Sequence, residues 1–222
     1  MTQTNTPITN FYQHQQDDTR APQSLVILLH GLGSDGRDLI SLAPLWGKSM
    51  PHTMFVSPDA PFPCDMAPMG HQWFSLQDRD PHKVLAGVQA IAPALDAFIE
   101  EQLEKYNLPA SKLVLGGFSQ GCMMSLYVGP RYKDKIAGIL GYSGALIWDQ
   151  DTEKDKLQTP PVFLAHGKSD EVVPFAAHEQ AAEVLEEFGF DLTKNAYNGL
   201  GHSINQEGLD AGLSFLKSAL SK

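Results

Sequence analysis

The chain has 222 residues, and 42% of them are hydrophobic, so it is long enough to bury a substantial core. This length favours a single domain spanning residues 1–222. The formal net charge is −10 at pH 7. Such an acidic balance argues against binding to nucleic acid or to an anionic membrane surface, because both interactions need a surplus of positive charge.

The N-terminal segment lacks the features of a secretory signal. Its first 18 residues are rich in Thr, Asn and Gln, without a basic start or an apolar stretch. The longest apolar runs elsewhere are strand-sized, so no membrane span or stable membrane association is expected. We therefore predict a cytoplasmic protein. Cys64 and Cys122 are too few for a disulfide framework and lack metal-ligand spacing, although one bridge between them stays open.

Apolar, β-branched runs alternate with helix-like stretches along the chain. This alternation is typical of strands joined by crossover helices in a mostly parallel sheet. Strands are predicted at residues 24–30, 53–57, 112–118, 136–143, 162–166 and, more weakly, 191–197. Apolar residues recur at helical spacing over residues 82–106, 175–188 and 205–220. The sequence thus predicts an α/β protein with a central sheet flanked by helices.

The segment before the first long helix is rich in aromatic residues, methionine and proline, and it has little helical periodicity. Its large apolar side chains include Met66, Met69, Trp73 and Phe74. Such residues either line an apolar substrate trough or cover a sheet edge, and composition does not separate these roles. We take the four as candidate substrate-binding residues.

Residues 117–121 read Gly-Phe-Ser-Gln-Gly and fit the pattern GxSxG. They follow an apolar run and precede a plausible helix, which is the strand–turn–helix setting of a nucleophile elbow. Glycines that lack a Cβ let strand and helix approach closely around the turn. The alternative is a structural glycine turn, but the context favours Ser119 as a nucleophile.

A serine hydroxyl needs a base to take its proton, and that base needs an orienting carboxylate. His202 lies in a glycine-rich loop between the last predicted strand and the last helix, and Asp170 lies in the loop after the preceding strand. The chain order Ser, Asp, His is that of the α/β-hydrolase arrangement. Alternative candidates for the orienting acid are Glu171, which is adjacent, and Asp149 and Asp151, which belong to a charged stretch typical of a solvated surface.

An acyl-transfer site also needs donors for the oxygen that becomes negative. Residues 30–33 read His-Gly-Leu-Gly and end the first strongly apolar strand, where a loop donor is expected. We assign the backbone N–H groups of Leu32 and Gln120 to this oxyanion hole. His30 itself is interpreted as a structural loop residue.

Taken together, these motifs resemble the bacterial carboxylesterase and phospholipase group of α/β-hydrolases, which is related to acyl-protein thioesterases. The matching positions extend over nearly the whole chain: residues 30–33 with Asp35 and Gly36, Trp73-Phe74, residues 117–121, His166-Gly167 with Asp170, residues 172–174, and Gly201-His202. The resemblance implies a small α/β-hydrolase without a large cap domain, without a cofactor, and active on carboxylic esters. Cys122 departs from the pattern, since the family usually has another glycine there.

The predicted function is therefore a serine carboxylesterase for short- to medium-chain esters that works through an acyl-enzyme intermediate. Its expected partner is a small-molecule ester or acyl substrate, and a homodimer is left open. Two alternatives use the same chemistry, namely an acyl-protein thioesterase and a lysophospholipase. A third, an inert binding protein on a hydrolase scaffold, is disfavoured because all three triad residues are present.

Overall fold

The computed structural model describes residues 7–149 and 151–221. Within these ranges a seven-stranded sheet forms the centre, and a two-stranded hairpin lies beside it. The strands, in chain order, are β1 (Phe11–His14), β2 (Ser24–Leu29), β3 (Thr53–Pro58), β4 (Phe62–Pro63), β5 (His71–Gln72), β6 (Leu113–Phe118), β7 (Gly138–Tyr142), β8 (Val162–Gly167) and β9 (Leu192–Tyr197). The hairpin consists of β4 and β5.

The main sheet has the strand order β1-β3-β2-β6-β7-β8-β9. Strands β3, β2, β6, β7, β8 and β9 are parallel, whereas β1 pairs antiparallel with β3. All six predicted strands are present, each with ends within two residues of the prediction. Three strands were not predicted, namely β1 and the two strands of the hairpin. The mostly parallel α/β architecture is thereby confirmed.

Six α-helices lie within the described ranges, five between strands and one after the last strand. They are α1 (Gly36–Ile40), α2 (Ala43–Gly47), α3 (Pro81–Tyr106), α4 (Gln120–Val128), α5 (Phe175–Glu187) and α6 (Gln206–Leu220). The N-cap of α3 is Asp80, whose carboxylate accepts hydrogen bonds from the N–H groups of His82 and Lys83. Asn107 ends this helix in the left-handed conformation at φ 53°, as polar residues at a helix C-terminus commonly do. The three long helices predicted from periodicity are confirmed.

The core consists of two layers, one on each face of the sheet. Successive side chains of β2 point to opposite faces, so Ile27 packs in the layer that α3, α4 and α5 cover, and Leu28 packs in the layer of α1, α2 and α6. Both side chains are at most 1% exposed, and full burial of such a side chain contributes about 1.5–3 kcal/mol. Burial on both faces explains why the parallel strands read as continuous apolar runs.

The parallel strands bring their carboxyl ends to one edge of the sheet. The loops after β2, β6, β8 and β9 all leave from this edge, and they carry the residues predicted for the oxyanion hole, nucleophile, acid and base. Within the described residues, the elements between the strands include no inserted cap domain.

None of the helices in the described ranges combines the length and the apolar character needed to cross a bilayer.

Candidate active site

Ser119 occupies a strained turn between β6 and α4. Its backbone lies at φ 54° and ψ −117°, a conformation that residues other than glycine rarely adopt. The turn is held from both sides, because the Ser119 N–H donates to Tyr142 O at 2.9 Å and the Ser119 carbonyl accepts from Met123 N–H at 3.1 Å. This geometry places the serine at the carboxyl edge of the sheet, as a nucleophile elbow requires.

The two glycines of the elbow allow the tight approach of strand and helix. A Cβ on Gly121 would lie 1.9 Å from the carbonyl oxygen of Leu29, and one on Gly117 would lie 2.3 Å from the carbonyl carbon of Gly121. Neither position has room for a side chain. The pattern GxSxG is therefore a packing requirement of the turn around Ser119.

Asp170 is a buried acceptor of several hydrogen bonds. Its Oδ1 accepts from the N–H groups of Val172 and Val173, both at 2.9 Å, and its Oδ2 accepts from His202 Nδ1 at 2.7 Å. Burial is the largest single influence and opposes ionisation, but the bonds from His202, Val173 and Val172 together outweigh it. They hold the pKa of Asp170 below its usual range. The carboxylate is therefore ionised at neutral pH.

His202 is held in the tautomer that a general base needs. Because the Asp170 carboxylate only accepts hydrogen bonds, His202 Nδ1 carries the proton, and Nε2 of the neutral ring is free to accept one. The ring packs against Phe118, with 4.7 Å between centroids, and its side chain is 17% exposed. In this resting arrangement, the hydrogen bonds of the described residues do not include one between Ser119 Oγ and His202. Such bonds commonly close only when substrate is bound.

The predicted oxyanion donors lie beside the nucleophile and have no competing acceptor. The loop after β2 approaches so closely that a Cβ on Gly31 would be 3.2 Å from Ser119 Cβ. Among the described residues, the N–H groups of Leu32 and Gln120 donate to no backbone carbonyl. Gln120 is the first residue of α4, where a backbone N–H has no partner within the helix. Both donors are therefore free to bind a substrate oxygen.

Neighbouring side chains fix the two segments that carry the predicted oxyanion donors, namely residues 30–33 and the start of α4 at Gln120; we call these the oxyanion segments. His30 Nε2 accepts from Ala60 N–H at 2.9 Å, so its Nδ1 carries the proton and donates to the Gly31 carbonyl at 2.7 Å. Burial lowers the pKa of His30, which keeps this ring neutral. The side chain of Gln120 accepts from Trp73 N–H and donates to Phe74 O, both at 2.8 Å. His30 and Gln120 thus hold the donors in place.

A cavity of about 400 Å³ opens at the nucleophile. Ser119 and His202 both line it, together with the charged side chains of Asp38 and Arg79. Most of the wall is apolar and comes from separate segments of the chain, with side chains of Leu76, Val84, Phe118, Met123, Ala145, Ile147, Val172, Val173, Pro174 and Ala177. Such a surface suits a hydrocarbon group better than a polar one.

The four candidate substrate-binding residues do not line this cavity. Trp73 is fully buried, and its Nε1 donates to the His30 carbonyl at 3.0 Å. Phe74 is 3% exposed, whereas Met66 and Met69 are 50% and 79% exposed. The geometry therefore does not support a trough built from these residues. Trp73 and Phe74 instead support the oxyanion segments, because both bond to Gln120 through their backbones.

The two cysteines are free thiols, and no bridge joins them. Cys122 is buried beneath the elbow, and a Cβ on Gly144 would touch its Sγ at 2.5 Å. Burial raises the pKa of this thiol to about 12. Cys122 therefore does not face the cavity, and it is an inert packing residue. Among the described residues, no group of three or more His, Cys, Asp or Glu side chains is placed to hold a metal ion.

A profile of the family described as Phospholipase/Carboxylesterase matches residues 13–220. The chain belongs to this family. Membership in the phospholipase/carboxylesterase family makes it an ester hydrolase with the α/β-hydrolase fold, as the motifs around Ser119 predicted. The match extends from β1 to α6 and so includes every segment of the candidate site.

Individual members of the family show how broad the likeness is. Acyl-protein thioesterase 1 of Gibberella zeae is 32% identical over 212 residues, which cover 88% of this chain and 90% of that protein. The protein of the same name from Emericella nidulans is 32% identical over 199 residues, covering 80% and 82%. The likeness therefore spans most of both chains in each comparison.

Solved structures agree with this fold. The crystal structure of esterase PE8 superposes with a TM-score of 0.89 at 39% identity, covering 95% of this chain and 99% of that one. The structure of acyl-protein thioesterase 2 from Zea mays superposes with a TM-score of 0.74 at 24% identity, covering 95% and 99%. At this lower identity the second comparison bears on the fold alone.

Proposed function

We propose that the chain hydrolyses acyl thioesters and esters with Ser119 as nucleophile, His202 as general base and Asp170 as the orienting acid. The observation that carries this proposal is the shared cavity. A serine on a strained elbow and a histidine bonded at 2.7 Å to a buried carboxylate open onto the same apolar space. This combination has the elements of a serine acyl-transfer site.

In the first half of the reaction, Ser119 Oγ attacks the acyl carbon while His202 Nε2 accepts its proton. The carbonyl oxygen becomes negative and is stabilised by the N–H groups of Leu32 and Gln120. The tetrahedral intermediate then collapses, and the bond to the leaving group breaks as His202 protonates the departing alcohol or thiol. The acyl group remains on Ser119 as an ester.

In the second half, water takes the place of the leaving group. His202 accepts a proton from water as its oxygen attacks the acyl carbon, and the same two N–H groups stabilise the second tetrahedral intermediate. Collapse returns the proton to Ser119 and releases the carboxylic acid. His202 must be neutral to begin each half, because only the neutral ring can accept a proton.

For the physiological substrate we favour an S-acylated protein, which was the alternative in the sequence interpretation. The relatives named acyl-protein thioesterase 1 support it, because they match this chain over 80% or more of its length. A small carboxylic ester is the second candidate, supported by the 39% identity to an esterase. Both reactions use the same triad and differ in the leaving group.

A pair of matched peptides separates these two candidates. One carries an octanoyl group on cysteine and the other carries it on serine in the same sequence. For a thioesterase we expect kcat/KM for the S-octanoyl peptide to exceed that for the O-octanoyl peptide by about 100-fold or more. Equal rates for the two peptides would favour the ester as natural substrate. Loss of both reactions in Ser119→Ala serves as the control.

The cavity also predicts where the acyl chain binds. Ala177 on α5 lines it, so the larger side chain of Ala177→Leu should fill part of the space beside Ser119. We expect kcat/KM for p-nitrophenyl octanoate to fall by about 10- to 100-fold, while that for the acetate stays within about twofold. The matched control is Met69→Ala, since this methionine is exposed and outside the cavity. An equal loss for both esters would remove the acyl chain from this site.

A further inference from the structure

A second histidine lies against the carboxylate of the triad. His166 is the penultimate residue of β8, and it is 2% exposed. Its Nε2 lies 3.2 Å from Asp170 Oδ2 and 2.9 Å from the carbonyl oxygen of Val173. Both neighbours only accept hydrogen bonds, so His166 Nε2 carries a proton in either charge state of the ring.

This contact brings two imidazole rings to one oxygen of the Asp170 carboxylate. His202 Nδ1 donates a hydrogen bond to it, whereas the His166 N–H donates to the Val173 carbonyl and only packs against the carboxylate oxygen. Oδ1 accepts from the backbone N–H groups of Val172 and Val173, and Oδ2 faces His202 Nδ1 and His166 Nε2. A polar N–H group packed this closely against Oδ2 restricts its movement and faces its negative charge with a partial positive charge. The direction of the bond to His202 is therefore set in part by His166.

His166 also holds the loop that carries the acid. Val173 follows Asp170 by three residues, and its carbonyl returns to the His166 ring seven residues earlier in the chain. The His166 N–H therefore fixes the far end of the loop, three residues beyond Asp170. On the other side of the ring, His178 of α5 lies at 5.6 Å between centroids. Burial lowers the pKa of His178 to about 4, so this neighbour is uncharged at neutral pH.

We propose that His166 is a positioning residue for the triad, which holds the Asp170 carboxylate in the orientation that His202 requires. This inference rests on the proposed function of Ser119, His202 and Asp170. It assigns to His166 no contact with substrate, because the ring is behind the carboxylate and does not line the cavity. The groups that face it are Asp170 from the loop, with His202 beyond it, and His178 from α5.

The test compares His166→Phe with His166→Gln, using p-nitrophenyl octanoate. Phenylalanine fills a similar volume without a donor, whereas the glutamine amide can reach the position of Nε2. We expect His166→Phe to lower kcat by about 10- to 100-fold, with KM within about twofold of the parent, because the hydrogen bond that anchors Val173 is lost together with the N–H beside Asp170 Oδ2. His166→Gln should recover most of this loss.

The pH profile distinguishes positioning from a general structural role. Without the His166 N–H dipole 3.2 Å away, Asp170 Oδ2 becomes more basic and binds protonated His202 more strongly, so the acidic limb of kcat/KM should move up by about 0.5 to 1 pH unit in His166→Phe. The matched control is His178→Phe, a neighbouring histidine without contact to Asp170, which should keep the parent profile. An unmoved acidic limb in His166→Phe, or equal losses for the phenylalanine and glutamine variants, would overturn the proposal.

A measurement on the unmodified protein covers the case in which His166→Phe does not fold. Long-range ¹H–¹⁵N spectra assign the protonated nitrogen of each histidine ring, and we expect His166 to be protonated on Nε2 throughout the active pH range. Protonation on Nδ1 alone would overturn the proposal. If Ser119→Ala keeps its activity, the proposed function fails; if only His166→Phe behaves as the parent, this inference alone fails.

Discussion

Replacing Ser119 with alanine is expected to lower kcat for p-nitrophenyl octanoate by about 10⁴- to 10⁶-fold, as removal of a nucleophile does in comparable triads. Alanine lacks the Oγ that attacks the acyl carbon. Its Cβ meets the same backbone strain as that of serine at φ 54°, so the fold should be retained. Steady-state kinetics and a thermal melt of the variant check both parts.

The chain offers a matched control for this variant. Ser143 is also a buried serine with positive φ, at 48°, and it directly follows the neighbouring strand β7. It does not line the cavity. Ser143→Ala should keep kcat within about twofold, since nothing that touches substrate is removed. A Ser119→Ala variant that retains a tenth of the parent activity would exclude Ser119 as the nucleophile.

The second large loss of activity is expected on substitution of Asp170, the acid bonded to His202. Asp170→Asn is expected to lower kcat by about 10³- to 10⁴-fold at pH 7.5. The hydrogen bonds that lower the pKa of Asp170 keep it ionised at this pH, so the variant loses a full charge as well as an acceptor. An amide that presents its NH₂ to His202 would favour the tautomer with the proton on Nε2, and that tautomer cannot accept a proton from Ser119.

Glu171 supplies the control for this substitution, because it is the adjacent carboxylate and was the nearest alternative for the acid. Its side chain is exposed, and the carboxylate at 2.7 Å from His202 belongs to Asp170. Glu171→Gln should therefore leave kcat within about twofold of the parent. The reverse result, with loss of activity in Glu171→Gln and not in Asp170→Asn, would contradict the assignment.

The triad candidates could be predicted from the sequence because each depends on local signals. The elbow needs glycines two residues before and after the nucleophile. Buried parallel strands precede Ser119 and Asp170, so both loops leave from the same edge of the sheet. Local sequence did not separate Asp170 from Glu171. The separation follows from the turn after β8, in which Asp170 caps the N–H groups of Val172 and Val173 while Glu171 points to solvent.

The acyl cavity, in contrast, could not be predicted from local sequence signals. Its apolar wall combines side chains from segments that are far apart between Leu76 and Ala177, and no local pattern shows that they meet around one space. Composition instead indicated Trp73 and Phe74 as substrate-binding residues, although such large apolar side chains are equally common in a protein core. They are buried directly after β5, where their backbone groups bond to the Gln120 side chain.

The unpredicted elements of the fold have similar causes. Strand β1 has four residues, Phe-Tyr-Gln-His, and it is a strand because it pairs with the far edge of β3. Helices α1 and α2 have five residues each, too few to display a helical period. Such short elements are set by tertiary contacts, whereas the long amphipathic helices and the buried strands are encoded by their own periodicity.

The central claim is that Ser119 is the activated nucleophile, and labelling with a fluorophosphonate probe tests it most directly. The parent, Ser119→Ala and Ser143→Ala are treated alike, and the modified residue is located by peptide mass spectrometry. We predict that the parent and Ser143→Ala carry one phosphonyl group, on Ser119, and that Ser119→Ala carries none. A label on another residue, or an unlabelled Ser119 in a parent protein that hydrolyses esters, would contradict the claim.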